Sequence, residues 1–187
     1  MPQGGIPIVK PIDHRAVLDG QPVHSLPDDA LIRQCFAPLV DAYKLVAAQD
    51  GDVNGLYASF TDGQKALFAA QTFLSHAIRG TDEFHWRCLL FRTYPLRLQG
   101  MKSGVRLFGD EVMTRLLDDI AAAIEPVNAV EGAMMTFEEA ERLLRSQPDY
   151  AFSIASLESR LHLALPCTYS LIASFIRNRA ADFIRND

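Results

Sequence analysis

Residues 60–124, FTDGQKALFAAQTFLSHAIRGTDEFHWRCLLFRTYPLRLQGMKSGVRLFGDEVMTRLLDDIAAAI, decide the fold, because they read as four helices with a start or stop signal at every junction. Thr61 and Gln64 spell a capping box, in which the hydroxyl accepts from a backbone N–H one turn on and the amide reaches back. Apolar residues then recur at Leu67, Ala70, Leu74 and Ala77, with Phe73 and Ile78 widening the stripe. Gly80 reads as the stop and Thr81 as the cap of the next helix, with Asp82 and Glu83 opposing its macrodipole. Phe84, Cys88 and Phe91 line one face of that helix. Pro95 suits the first turn of a third helix, which buries Leu98, Met101, Val105 and Phe108. Gly109 ends it and Asp110 caps a fourth, with Met113, Leu116, Ile120 and Ile124 inward and Pro126 as terminator.

Working outward, the 187 residues, 49% hydrophobic and 22% charged, suffice for one core. The expected architecture is all-α: a compact bundle of about seven to eight helices over residues 27–187, preceded by an arm over residues 1–26. That arm carries Pro2, Pro7, Pro11, Pro22, Gly4, Gly5 and Gly20, which exclude helix from most of it. Asp19-Gly20 has the spelling of a two-residue hairpin turn, with Pro22 confining any hairpin to an edge. The competing reading is an extended arm that pins Ile6, Ile8, Val9 and Val17 onto the helical body or a second subunit.

Ser25 and Asp28, with Pro27 between them, predict the start of a long helix reaching about Gln49. Ile32, Cys35, Leu39, Tyr43 and Val46 form its expected buried side, and Pro38 predicts a kink or break. Beyond residues 126–135, read as a linker, Thr136 and Glu139 spell a second capping box for a helix ending before Pro148. A helix over about 153–165 buries Ile154, Leu157, Leu161 and Leu165, and Pro166 separates it from a last helix over about 168–184. That helix turns Ile172, Phe175, Ile176 and Phe183 inward.

Chemistry is sparse. Asp50, Asp52 and Asn54, with Gly55 after them, match the first half of a calcium loop over residues 50–61. The twelfth position, where a bidentate Glu belongs, is Thr61, so a turn explains the three residues better and they remain only a speculative metal site. Asp82, His85 and Cys88 share a helix face and His76 lies one helix earlier, but their spacing matches no zinc motif. His162 stands on a later helix with no local nucleophile. No cofactor motif is complete. Cys35, Cys88 and Cys167 form neither a disulfide framework nor a metal knuckle, which points to reduced thiols in the cytoplasm.

The net charge of −5 opposes nucleic acid and anionic membranes, and no run is apolar enough to span a bilayer. Charge is segregated along the chain: residues 79–106 carry six basic against two acidic side chains, and residues 110–141 carry nine acidic against one basic. Such polarity suits either a recognition surface or facing helices that attract one another. Trp86, Phe91 and Tyr94 interleave with Arg87 and Arg92 as in a base-stacking surface, although basic residues about five apart wrap around a helix.

The helix opening at Thr61-Asp62-Gly63-Gln64, the Arg79-Gly80-Thr81 end, Phe84 and Trp86, the Phe108-Gly109-Asp110 junction and the ending Ile176-Arg177-Asn178-Arg179 with Asp182-Phe183-Ile184 together resemble the DNA-mimic-protein-like all-helical family of unknown function. The resemblance covers roughly residues 57–187. It implies an all-helical, dimeric, cytosolic bacterial protein without known catalysis, one branch of which displays carboxylates in imitation of DNA. Here the 23 acidic residues are balanced by 18 basic ones, and only the architecture is carried over. The functional expectation is therefore a non-catalytic interaction or regulatory module that binds a protein partner or itself. An ion or small-molecule binder, or an enzyme whose site is assembled from distant residues, is the alternative.

Overall fold

The structure is a computed structural model that describes residues 13–127 and 134–185. Among these residues the protein is all-α, with nine helices and no strand: α1 (Asp28–Ala48), α2 (Val53–Ser59), α3 (Asp62–Ala77), α4 (Thr81–Thr93), α5 (Pro95–Leu107), α6 (Glu111–Ile124), α7 (Phe137–Ser146), α8 (Pro148–Asn178) and α9 (Ala180–Phe183). Both capping boxes form. Thr61 Oγ1 accepts from Gln64 N at 3.2 Å while Gln64 Oε1 accepts from Thr61 N at 3.0 Å, and Thr136 and Glu139 do the same for α7.

Two helices organise the core. The first, α3, buries Leu67, Ala70, Phe73, Leu74 and Ala77, and packs on α1, α4 and α5. The second, α8, buries Ile154, Leu157, Leu161, Ile172 and Ile176 between α1 and α6. The α3–α5 crossing is close because Gly104 has no side chain: a Cβ there would stand 3.0 Å from Ala66 O and 3.1 Å from Ala66 Cα. At the α5–α6 corner Gly109 takes φ 79°, and the Asp110 N–H donates to Val105 O at 2.9 Å, closing α5 as its sequence predicts.

Several boundaries differ from expectation for identifiable reasons. The Ser25 hydroxyl donates to Pro22 O at 2.8 Å within a 3-10 turn, so it caps no helix; Pro27 is the N-cap of α1 without a side-chain bond. Gly80, at φ 128°, is the N-cap of α4, and Thr81 is its first helical residue. Pro38 and Pro166 break nothing: α1 and α8 run through them. Each proline forfeits one bond to the carbonyl four residues back, and those carbonyls belong to Gln34 and His162, exposed residues on the solvent side of each helix. Consequently the two helices expected over about 153–165 and 168–184 are one 31-residue helix, Pro148–Asn178, followed by the short α9. Ile78 is 38% exposed, and Tyr43, Val46, Leu98, Leu165 and Phe175 sit at the margin of the core.

The arm shows neither expected form in full. Asp19 (φ 46°) and Gly20 (φ 77°) make the predicted turn, with the Gln21 N–H donating to Leu18 O at 2.9 Å. No hairpin follows, because the backbone partner of Ala16 is the other end of the chain: the Ala16 N–H donates to Phe183 O at 2.7 Å and the Arg185 N–H to Ala16 O at 3.0 Å, a single parallel bridge between Ala16 and Ile184. The residues that pin the segment are His14, Ala16 and Leu18, with Val17 half-buried. Ile6, Ile8 and Val9 lie outside the described residues, as does most of the linker.

Candidate functional site

The calcium-like segment is built as a helix junction. Asp50 adopts φ 51° as α1 ends, the Gly51 N–H donates to Val46 O at 2.9 Å, and Asp52 caps α2 by accepting from Gly55 N at 2.8 Å. Asn54 lies inside α2, so the chain coils into a helix where a calcium loop stays open. Among the described residues no three His, Cys, Asp or Glu side chains gather as a metal site.

Each histidine on the helical body has its own partners. His76 Nδ1 lies 2.9 Å from Arg87 Nη2 and 3.2 Å from Glu83 Oε1, and Arg87 Nε pairs with Glu83 at 2.9 Å. Burial and the two guanidiniums of Arg87 and Arg79 lower the His76 pKa against the pull of Glu83. His85 is fully buried with Nε2 2.9 Å from Tyr150 Oη, and desolvation drops its pKa to about 4 against opposing effects of Asp82 and the Ala140 backbone. Cys88, also fully buried, has its thiol pushed well up by desolvation, so it is no thiolate nucleophile. His162 Nε2 stands 3.7 Å from Glu158 Oε1, and Glu158 Oε2 accepts from Thr81 Oγ1, placing a carboxylate at the positive end of α4.

Two clefts lie elsewhere. One, of about 490 Å³, separates residues 17–23 from Ala180, Ala181, Ile184 and Arg185; the other, of about 410 Å³, opens beside Arg106, Asp110 and Arg115. No histidine lines either one. The aromatics of the suggested stacking surface are engaged as well. Trp86 Nε1 donates to Met135 O at 2.9 Å, Phe91 is buried, and Tyr94 lies under the Arg97 guanidinium at 4.5 Å.

What remains unexplained by folding is the outward side of α8. Phe152, Ser156, Ser159, Leu163, Cys167 and Ser170 are all exposed, and at 3.6 residues per turn they fall within an arc of roughly 100°. Leu163 is 82% exposed and Phe152 78%, level with Leu96 as the most exposed large apolar side chains among the described residues. The stripe carries no charge. Arg160 on one flank is held by Asp119 of α6 at 2.5 Å, and His162 on the other faces Glu158. This surface was hidden in the sequence because Pro166 reads as a break, which cuts the stripe between two short helices.

No family model, curated protein or solved structure matches this chain. No helix among the described residues is long and apolar enough to cross a membrane.

Proposed function

We propose that the protein is a non-catalytic association module whose docking surface is the outward side of α8. One observation carries this reading: Leu163 and Phe152 stand in solvent on an uncharged stripe of a helix whose opposite side is core. Folding gains nothing from leaving them there. Burying each against a partner is worth about 1.5–3 kcal/mol, and the serines between them cost little to desolvate if their hydroxyls bond back along the helix. Ser159 already does so, donating to Ala155 O at 2.9 Å. The resemblance to the DNA-mimic-like helical family points the same way, since that family is without known catalysis. A cytoplasmic setting fits an exposed free thiol at Cys167.

The test is a photo-crosslinking amino acid placed at position 163, with a second chain carrying it at the equally exposed position 96 of α5. Irradiation in cells of the native host is expected to give protein adducts from position 163 and few from position 96. Equal yields, or none from position 163, would sink the association reading.

A further inference from the structure

We infer that α7 is a hinged cover over α4: it turns away about Gln147 while the rest of the helical body stays folded, and so bares a floor that the closed molecule hides. This is independent of the α8 surface. Of the ten residues of α7 only Ala140 and Leu144 are buried, where α6 buries five of fourteen. A helix that short does not hold itself in water, so its place depends on what it packs against, and that is chiefly α4 and α8. Among the described residues no ion pair joins α7 to either of them. Its own polar side chains bond within it, Arg145 to Glu141, Thr136 to Glu139 and Ser146 to Leu143 O.

The junction is built to turn. Gln147, at φ −132° and ψ 84°, is the single residue between α7 and α8, and its N–H reaches Leu144 O only at a long 3.4 Å. Pro148 then opens α8 with a fixed φ and no N–H to satisfy, so α8 needs nothing from α7 in order to start. At the other end the non-helical Met134, Met135 and Thr136 lead into α7, and Met134 is half exposed. The floor also favours release. His85 keeps Tyr150 as the partner of Nε2 when α7 leaves, whereas its buried Nδ1 has no hydrogen-bonded partner while α7 is closed, the Ala140 backbone standing beside it without completing a bond. Closure therefore desolvates a polar atom for nothing in return, and opening gives it water. Trp86, the one tryptophan of the chain, marks the edge of the floor: its ring meets Phe137 edge-on at 5.8 Å, and Nε1 donates to Met135 O at 2.9 Å.

Native-state hydrogen exchange of the full chain tests this. Amides of α7 are expected to exchange at least about 100-fold faster than those in the middle of α3, through an opening short of global unfolding. Because that opening exposes little surface, the α7 rates should hardly change up to about 1 M urea, while the α3 rates climb steeply. Leu144→Ala removes the larger of the two buried anchors. It is expected to abolish the remaining protection in α7 and to shift the Trp86 emission to the red, with the α3 amides still protected and the body still melting in one transition. Arg142→Ala, on the exposed side of α7, should do neither. Amides of α7 that match α3 in both rate and urea slope overturn the cover, and the wild-type series decides this even if Leu144→Ala does not fold. So does a folded Leu144→Ala chain in which α7 stays protected and Trp86 emission moves only at the global melt.

Discussion

His85 is a neutral histidine walled in by α4, α7 and α8, and burial holds its pKa at about 4, well under the 6.5 of a solvated imidazole. Protons therefore bind the unfolded chain first. Stability is full above pH 6.5, falls as the pH drops from there toward 4, and changes little further from this group below that; the loss is on the order of 3 kcal/mol. His14 and His76 shift in the same direction and steepen the slope. Urea unfolding at pH 7, 5 and 4 is expected to show this decline, and His85→Gln should flatten it even though the variant is less stable at neutral pH. A second residue-scale prediction concerns Asp110, 2% exposed, whose Oδ1 accepts from Met113 N at 2.8 Å and Oδ2 from Thr168 Oγ1 at 2.6 Å. Thr168→Val keeps the volume but strips a buried carboxylate of one donor, which costs about 2 kcal/mol. Thr168→Ser restores the hydroxyl and is expected to cost about half as much, measured by the same urea titration.

Among the elements, the helices whose ends carry side-chain chemistry were legible in sequence, and those shaped by solvent were not. Thr61 with Gln64, Asp110 with Met113, and Thr136 with Glu139 are local bonds over three residues, so their letters suffice. Pro38 and Pro166 depend on which side of the helix faces water, and that is settled only when distant helices pack. Thr81 was misread for a similar reason, because its hydroxyl is taken by Glu158, 77 residues away. The candidate docking stripe is legible only as the complement of the buried positions of an unbroken α8. Close packing of elements was equally out of reach of the letters, and two glycines of α5 expose it. At Gly104 an added Cβ meets the backbone of Ala66 at 3.0 Å, whereas at Gly100 its nearest neighbour is Tyr57 Oη at 4.0 Å. Alanine gains up to about 1 kcal/mol of helix propensity at either site. Gly100→Ala should therefore raise the melting temperature, while Gly104→Ala forces α3 and α5 apart and should lower it, with a loss of stability of about 1–3 kcal/mol, the cost of an overpacked core. A melting temperature raised by both would mean that the crossing is looser than the Gly104–Ala66 approach requires.

At the scale of the whole molecule, the described chain is closed by its two ends. Ala16 and Ile184 form the only bridge outside helices among the described residues, and α9 docks on the start of α3, where Gln64 Nε2 donates to Asp182 O at 2.9 Å. Phe183 is the pin. It is almost wholly buried, meets Phe175 edge-on with centroids 6.3 Å apart, and fills the space that Gly63 leaves open, where a Cβ would come within 2.8 Å of its ring. Because α9 has four residues, it cannot hold itself as a helix and depends on this side chain. Phe183→Ala is expected to cost about 3–5 kcal/mol, and Phe183→Leu distinctly less, since most of the volume is kept. The loss should also be local before it is global. The Ala16 and Arg185 amides, bonded to Phe183 O and Ala16 O, start from the lower protection of a local opening and are expected to lose essentially all of it in Phe183→Ala, while amides in the middle of α6 stay protected and fall only by the change in global stability. Protection at Ala16 and Arg185 that survives unchanged in Phe183→Ala would show that the ends are held by something other than Phe183.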